Sequence, residues 1–185
     1  IVVTGAASGF GKLVCEKASS LGAKIVAADI NESGLNDFIS SLKVNNSNND
    51  SKATSLKVDV TDPNDMHKLA AHAIETFGSI DVMINNAGVM PLAYFADHEV
   101  ATEAWDRCID INFKGVLHGI SAVHDQMMHQ GRGHVINLSS IYGNFPVSGG
   151  GVYGATKAAV DFLSESLRQE SQGKIKVTNV KPTGV

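Results

Sequence analysis

The sequence predicts a single α/β domain, a doubly wound parallel sheet held between two helical layers in a three-layer αβα arrangement. Three observations predict it. Short apolar runs rich in Val and Ile recur along the chain and alternate with longer stretches of helical periodicity. The runs are apolar at consecutive positions, as strands buried on both faces must be. Small polar residues and glycines follow the runs directly, at Thr4-Gly5, Asp29, Asp59, Asn85 to Gly88 and Ser139-Ser140. In a parallel sheet those positions share one rim, and ligands bind beyond the carboxyl ends of the strands. A chain of 185 residues, 43% of them hydrophobic, can bury one sizeable core.

The elements follow in order. Ile1 to Val3 is the first strand, and the stretch from Lys12 to Leu21 is helical, with Gly22 placed to cap it. Lys24 to Asp29 is the second strand, which completes a βαβ unit. Asn31 to Leu42 reads as an amphipathic helix with Leu35, Phe38, Ile39 and Leu42 on one face. The polar, Asn-rich stretch 44–51 reads as a surface loop. Ala53 to Val58 is the third strand. Asp62 then suits an N-cap with Pro63 at the first helical position, and that helix runs to about Phe77. Ile80 to Ile84 is the fourth strand. His98 to about Gln130 is mostly helical, with an apolar stripe through Trp105, Ile109, Phe113 and Val116. Gly133 to Leu138 is the fifth strand. A glycine-rich loop leads to the Tyr153 helix, which runs to about Gln172, and Lys174 to Val180 is the sixth strand.

The first turn carries Gly5, Gly9 and Gly11 between a strand and a helix. Glycines there permit positive φ and let a backbone approach a pyrophosphate, whose charge meets free N–H groups at the helix N-terminus. Asp29 ends the second strand, 18 residues after Gly11. A carboxylate there can accept hydrogen bonds from both ribose hydroxyls of an adenosine and repels a 2′-phosphate, which favours NAD over NADP.

Tyr153 and Lys157 lie four apart on a predicted helix, so they share a face one turn apart. An ammonium beside a phenol favours the phenolate and makes the tyrosine a usable general acid/base. Alone the spacing is common on solvated helix faces. Beside a phosphate-binding turn and a polar rim it points to proton transfer.

Composition excludes several classes. A formal charge of −4 argues against nucleic acid as the main partner, and no apolar run approaches the roughly 18 residues of a membrane span. No basic segment followed by an apolar run opens the chain, and Cys15 and Cys108 have no metal or redox spacing. They read as core or interface residues in a reducing compartment, and a cytoplasmic location is expected. His67/His72 and His124/His129 are five apart, not the four that would pair ligands on one helix face. The histidines read as surface or helix-end residues, and no metal site is expected.

Taken together, Thr4-Gly5-x-x-x-Gly9-x-Gly11, Asp59-Val60, Asn85-Asn86-Ala87-Gly88, Asn112, Ser140 and Tyr153-x-x-x-Lys157 closely resemble the short-chain dehydrogenase/reductase family in its common compact subgroup. The resemblance spans nearly the whole chain and implies a Rossmann-like fold. It implies a dinucleotide cleft formed by Gly5, Ser8, Gly9, Phe10, Gly11, Asp29, Ile30, Asn86, Ala87 and Gly88, with Asp59 and Val60 at the adenine edge. Ser140 is implied to bond the substrate oxygen, Tyr153 to transfer the proton, and Lys157 to bind the nicotinamide ribose and tune Tyr153. Asn112 is implied to hold a water linking Lys157 to solvent. Ser140 takes the serine role over Ser139 because it lies 13 residues before Tyr153, the family spacing. Ser139 is left as a strand-end hydroxyl bonded to backbone.

Pro182 and Gly184 are implied to contact the nicotinamide, although Thr183 here separates a pair the family usually joins. Relative to the family, residues 1–185 are expected to be truncated at both ends. The resemblance implies a homodimer or homotetramer built through the Trp105 and Tyr153 helices. The expected activity is NAD(P)-dependent interconversion of a secondary alcohol and a ketone or aldehyde. The main alternative is a non-catalytic, redox-sensing dinucleotide module on the same fold, which would not need Ser140, Tyr153 and Lys157 together. A sugar-nucleotide epimerase or dehydratase fits less well, because those relatives carry a different glycine spacing. Met90, Leu92, Tyr94, Phe95, Tyr142 and Phe145 are expected to line a modestly apolar substrate pocket. The stretches 152–160 and 167–170 are similar to family members acting on small hydroxy acids.

Overall fold

The structure is a computed structural model that describes residues 1–45 and 52–183, without the side chains of 43–45. Six parallel strands form one sheet: β1 (Val2–Thr4), β2 (Ile25–Asp29), β3 (Ala53–Lys57), β4 (Val82–Asn85), β5 (Gly133–Leu138) and β6 (Ile175–Val180). Their spatial order is β3-β2-β1-β4-β5-β6. The chain therefore builds outward from β1 to one edge, then crosses to β4 and builds to the other. That reversal between β1 and β4 leaves a crevice at the carboxyl ends of the strands.

Neighbouring residues of each inner strand enter opposite cores. Val2, Val26 and Met83 pack with Met66, Leu69, Val123 and Met127 on one side of the sheet. Val3, Ala27 and Ile84 pack with Cys15, Leu35 and Phe38 on the other. This two-sided burial is the physical reason the strands are apolar at every position. The helices are α1 (Gly9–Ser20), α2 (Glu32–Asn45), α3 (Pro63–Phe77), α4 (His98–Ile109), α5 (Gly115–Gln130) and α6 (Gly151–Glu170). Asp62 caps α3 by accepting the Asn64 N–H at 2.8 Å, with Pro63 at the first position, as expected.

Several boundaries differ from the sequence reading. Helix α1 starts at Gly9, so two glycines of the turn already form its first turn. Helix α2 runs three residues past Leu42, to Asn45, and most of the expected Asn-rich loop lies outside the described residues. Strand β4 starts at Val82 because the backbone of Ile80 pairs with a side chain instead. Its N–H donates to Gln130 Oε1 at 3.1 Å, and its carbonyl accepts from Gln130 Nε2 at 2.9 Å.

The larger correction concerns residues 98–130. Helices α4 and α5 are joined without a break by one π-helical turn, Asp110–Lys114. The buried face runs through Ala101, Cys108, Asn112, Val116 and Val123, with Trp105 and Phe113 half-buried along it. Ile109 is exposed, and Trp105 packs its ring against Phe95 at 5.8 Å. Three histidines are also less peripheral than expected. His72, His118 and His134 are half-buried and bond to Thr54 Oγ1, the Val60 carbonyl and Thr178 Oγ1. Cys15 and Cys108 are buried free thiols. No helix among the described residues is long and apolar enough to cross a membrane.

Candidate active site

The glycine turn rests on two positive φ angles and on close approaches at Gly5 and Gly11. Gly5 and Gly9 adopt φ of +65° and +52°, where a side chain is strained. A Cβ on Gly11 would lie 2.2 Å from the Gly5 carbonyl oxygen and 2.6 Å from Asn86 Nδ2. Gly11 therefore lets the start of α1 close onto the turn and does not itself face the crevice. Asn86 fastens the turn from the neighbouring strand by donating from Nδ2 to the carbonyls of Thr4 at 2.9 Å and Gly5 at 3.1 Å. Thr4 Oγ1 completes the junction by accepting the N–H groups of Asn86 and Ala87 at 3.1 and 3.2 Å. In the sequence Thr4 reads only as a strand-end residue, because its partners lie more than 80 residues away.

Beside this turn runs a cleft of about 780 Å³. Of the residues expected to hold a dinucleotide, Gly5, Ser8, Gly9, Phe10, Asp29, Ile30, Asp59, Val60, Asn86, Ala87 and Gly88 line it. Val58, Thr61, Arg107 and Ile111 line it too and were not anticipated. Arg107 and Ile111 come from the helical wall opposite, which no local motif marks. Asp29 does more than face the cleft. Its carboxylate accepts the Ala7 N–H at 3.0 Å and the Asn31 N–H at 2.9 Å, so it also ties the glycine turn to the end of β2. Asp59 accepts both the N–H and the hydroxyl of Thr61, at 2.9 and 2.7 Å. These features fit a dinucleotide: a backbone cradle that a Cβ would fill, a helix N-terminus and a carboxylate at the ribose position.

A second cleft of about 290 Å³ adjoins the first and shares Phe10, Asn86, Gly88 and Val89 with it. Ser140, Tyr153, Lys157 and Pro182 all line it. The short turn Ile141–Gly143 holds Ser140 at the end of β5 by packing tightly on α6, where a Cβ on Gly154 would sit 2.7 Å from the Tyr142 carbonyl oxygen. Ser140 is buried, and its Oγ accepts the Tyr142 N–H at 3.2 Å. Ser139 donates to the Lys157 carbonyl at 3.2 Å, the backbone role expected of it.

Lys157 is only 5% exposed. Its Nζ donates to the Leu138 carbonyl at 2.7 Å and lies 5.6 Å from the centre of the Tyr153 ring. Burial pushes its ammonium down to about 8 from an ordinary 10.5, with Cys108 and Asp161 pulling weakly the other way. Tyr142 meets the Tyr153 ring edge-on at 6.5 Å, which forms an aromatic wall.

Asn112 sits fully buried in the π turn. Its Oδ1 accepts the Val89 N–H at 2.9 Å, and its Nδ2 donates to the Val89 carbonyl at 2.8 Å. It also reaches Thr156 Oγ1 at 3.3 Å, beside Lys157. A Cβ on Gly88 would lie 3.3 Å from Asn112 Oδ1 and 3.7 Å from Lys157 Nζ, so the three groups meet at one point.

Of the expected pocket residues, Met90 and Tyr142 line the catalytic cleft. Tyr94 and Phe95 instead border a separate hollow of about 300 Å³ with Trp105. Leu92 and Phe145 line neither, and Phe145 packs its ring on Tyr142 at 6.0 Å. Gly184 lies outside the described residues.

Comparison with known proteins agrees with this geometry. A family model described as short chain dehydrogenase matches residues 1–185. An uncharacterized oxidoreductase of Staphylococcus epidermidis is 38% identical over 182 residues, covering 98% of this chain and 75% of its own. A short-chain dehydrogenase/reductase from Burkholderia phymatum, solved with NAD, superposes with a TM-score of 0.92 at 31% identity; it covers all of this chain, which spans 65% of its length. Serine dehydrogenase from Escherichia coli superposes at 0.88 with 31% identity, over 98% of this chain and 81% of that one. The fold, the matched family and the rim of strand-end residues agree, and the chain belongs to the short-chain dehydrogenase family of oxidoreductases.

Proposed function

We propose that the protein interconverts a secondary alcohol and a ketone or aldehyde, with Tyr153 as acid/base and NAD as the preferred cofactor. The observation that carries the reading is that Ser140, Tyr153 and Lys157 line one cleft opening directly onto the dinucleotide cleft. The nicotinamide, when bound, accepts or supplies the hydride. In the oxidation direction the Tyr153 phenolate takes the hydroxyl proton of the alcohol. Ser140 donates to the same oxygen and stabilises the charge that develops on it. The buried Lys157 ammonium stands 5.6 Å from the centre of the Tyr153 ring, where its charge stabilises negative charge on the phenol oxygen as the proton moves. Asn112 fixes the Val89 backbone on the shared wall of the two clefts, and so holds their junction.

The NAD preference rests on Asp29, whose carboxylate faces the cleft where an adenosine ribose would sit and repels a 2′-phosphate. The substrate class is open to a directed screen. Serine is a hydroxy acid, so the likeness to serine dehydrogenase puts small hydroxy acids first and apolar secondary alcohols second. NADH formation on incubating the protein and NAD with such a panel tests the proposal. Turnover with an alcohol, faster with NAD than with NADP, supports it. Tight NADH binding without turnover of any alcohol or carbonyl would favour a redox-sensing module instead.

A further inference from the structure

Lys181 stands immediately after β6 and next to Pro182 and Thr183, which line the catalytic cleft. Its Nζ donates to Asn144 Oδ1 at 2.6 Å and pairs with Asp161 Oδ2 at 2.7 Å. The other carboxylate oxygen of Asp161 accepts from Asn179 Nδ2 at 3.0 Å. Three separate pieces of chain meet here. Asn144 follows the Ile141–Gly143 turn that places Ser140, Asp161 lies one turn after Lys157 on α6, and Asn179 lies in β6. The Lys181 and Asp161 side chains are 33% and 22% exposed, so this is a partly buried, hydrogen-bonded network rather than a solvated surface pair.

We propose that Lys181 is a positioning residue of the catalytic cleft, a latch that ties the Asn144 loop and the Pro182–Thr183 wall to α6 and so sets the width of the substrate entrance. The near end of the loop needs no such device, since the turn at Tyr142 and Gly143 packs directly on the backbone of α6. At Asn144, which is exposed, side chains supply the attachment, and Lys181 reaches both anchors at once. The catalytic groups do not touch Lys181. Its loss is therefore expected to change how substrate is held more than how the proton moves.

The effect on turnover rests on the reading under Proposed function, but the latch itself is measured without turnover, by hydrogen exchange. In Lys181→Met, amides of residues 141–150 are expected to exchange roughly tenfold faster, while those of β1, β4 and α5 are unchanged. In steady state the same variant is expected to raise the substrate KM roughly tenfold (about 1.4 kcal/mol) with kcat within about threefold. Lys181→Arg is expected to restore both. Asn144→Ala, which removes one arm and keeps the pair with Asp161, is expected to raise KM about threefold with kcat held. Unchanged exchange in 141–150 in both variants overturns the latch. So does a fall in kcat with KM held. A wild-type chain inactive on every alcohol and carbonyl overturns the catalytic reading instead, and leaves the latch to be judged by exchange alone.

Discussion

The ammonium of Lys157 is held 2.7 Å from the carbonyl of Leu138, beneath Tyr153 and largely out of water. A lysine in that position opposes folding. Burial lowers its folded pKa to about 8, against 10.5 in a free side chain. Below about pH 8 both states bind the proton, and the full cost of burying it is present. Between about 8 and 10.5 the unfolded chain binds the proton more tightly, so this group makes stability rise with pH. The cost is on the order of 3 kcal/mol, offset in part by the bond to Leu138. Without cofactor, Lys157→Met is expected to be more stable than wild type at pH 7 and to lose that advantage by pH 10. Urea midpoints of the two proteins at both pH values check this, and a constant difference across the range would contradict it.

Gly11 gives a sharper steric prediction. Gly11→Ala would place a methyl 2.2 Å from the Gly5 carbonyl oxygen, where only a shift of backbone can relieve it. A destabilisation of roughly 1–3 kcal/mol is expected, with more than about tenfold loss of NADH affinity as the turn moves off Asn86. Thermal melts and NADH fluorescence titration read the two effects. An unchanged NADH affinity would mean that the turn is not the phosphate cradle.

Much of this site was legible in the chain because its signals are local. The glycines, Asp29, Ser140 and the Tyr153–Lys157 spacing all sit at strand ends or within one helical turn, where short-range chemistry and the strand–helix alternation fix their placement. What escaped depends on contacts distant in sequence. The π turn at Asp110–Lys114 coincides with the Asn112 clasp on Val89, 23 residues away. The start of β4 moved because a glutamine 50 residues on replaces a strand neighbour for Ile80. The Thr4 hydroxyl organises Asn86 and Ala87 only because β1 and β4 lie side by side.

Asp29 carries two roles that a substitution should separate from a simple cofactor switch. Its carboxylate is an acceptor for the Ala7 and Asn31 amides as well as a cleft wall. Asp29→Ala is expected to lower kcat/KM with NAD at least about tenfold. It is also expected to gain little with NADP, because the turn that would seat either pyrophosphate loses its tie to β2. Steady-state rates with both cofactors decide this. A clean reversal to NADP in the variant would show that the tie is dispensable, and a wild-type preference for NADP would contradict the reading of Asp29 altogether.

In the proposed reaction Tyr153 moves the proton. Tyr153→Phe keeps the ring that packs against Tyr142 and removes only the hydroxyl. The measurement is turnover of the best alcohol found for the wild type, followed by NADH absorbance, beside NADH affinity of the same variant. A fall in kcat of at least about a thousandfold is expected, with NADH affinity within about threefold of wild type. Turnover near the wild-type rate would contradict that role of Tyr153.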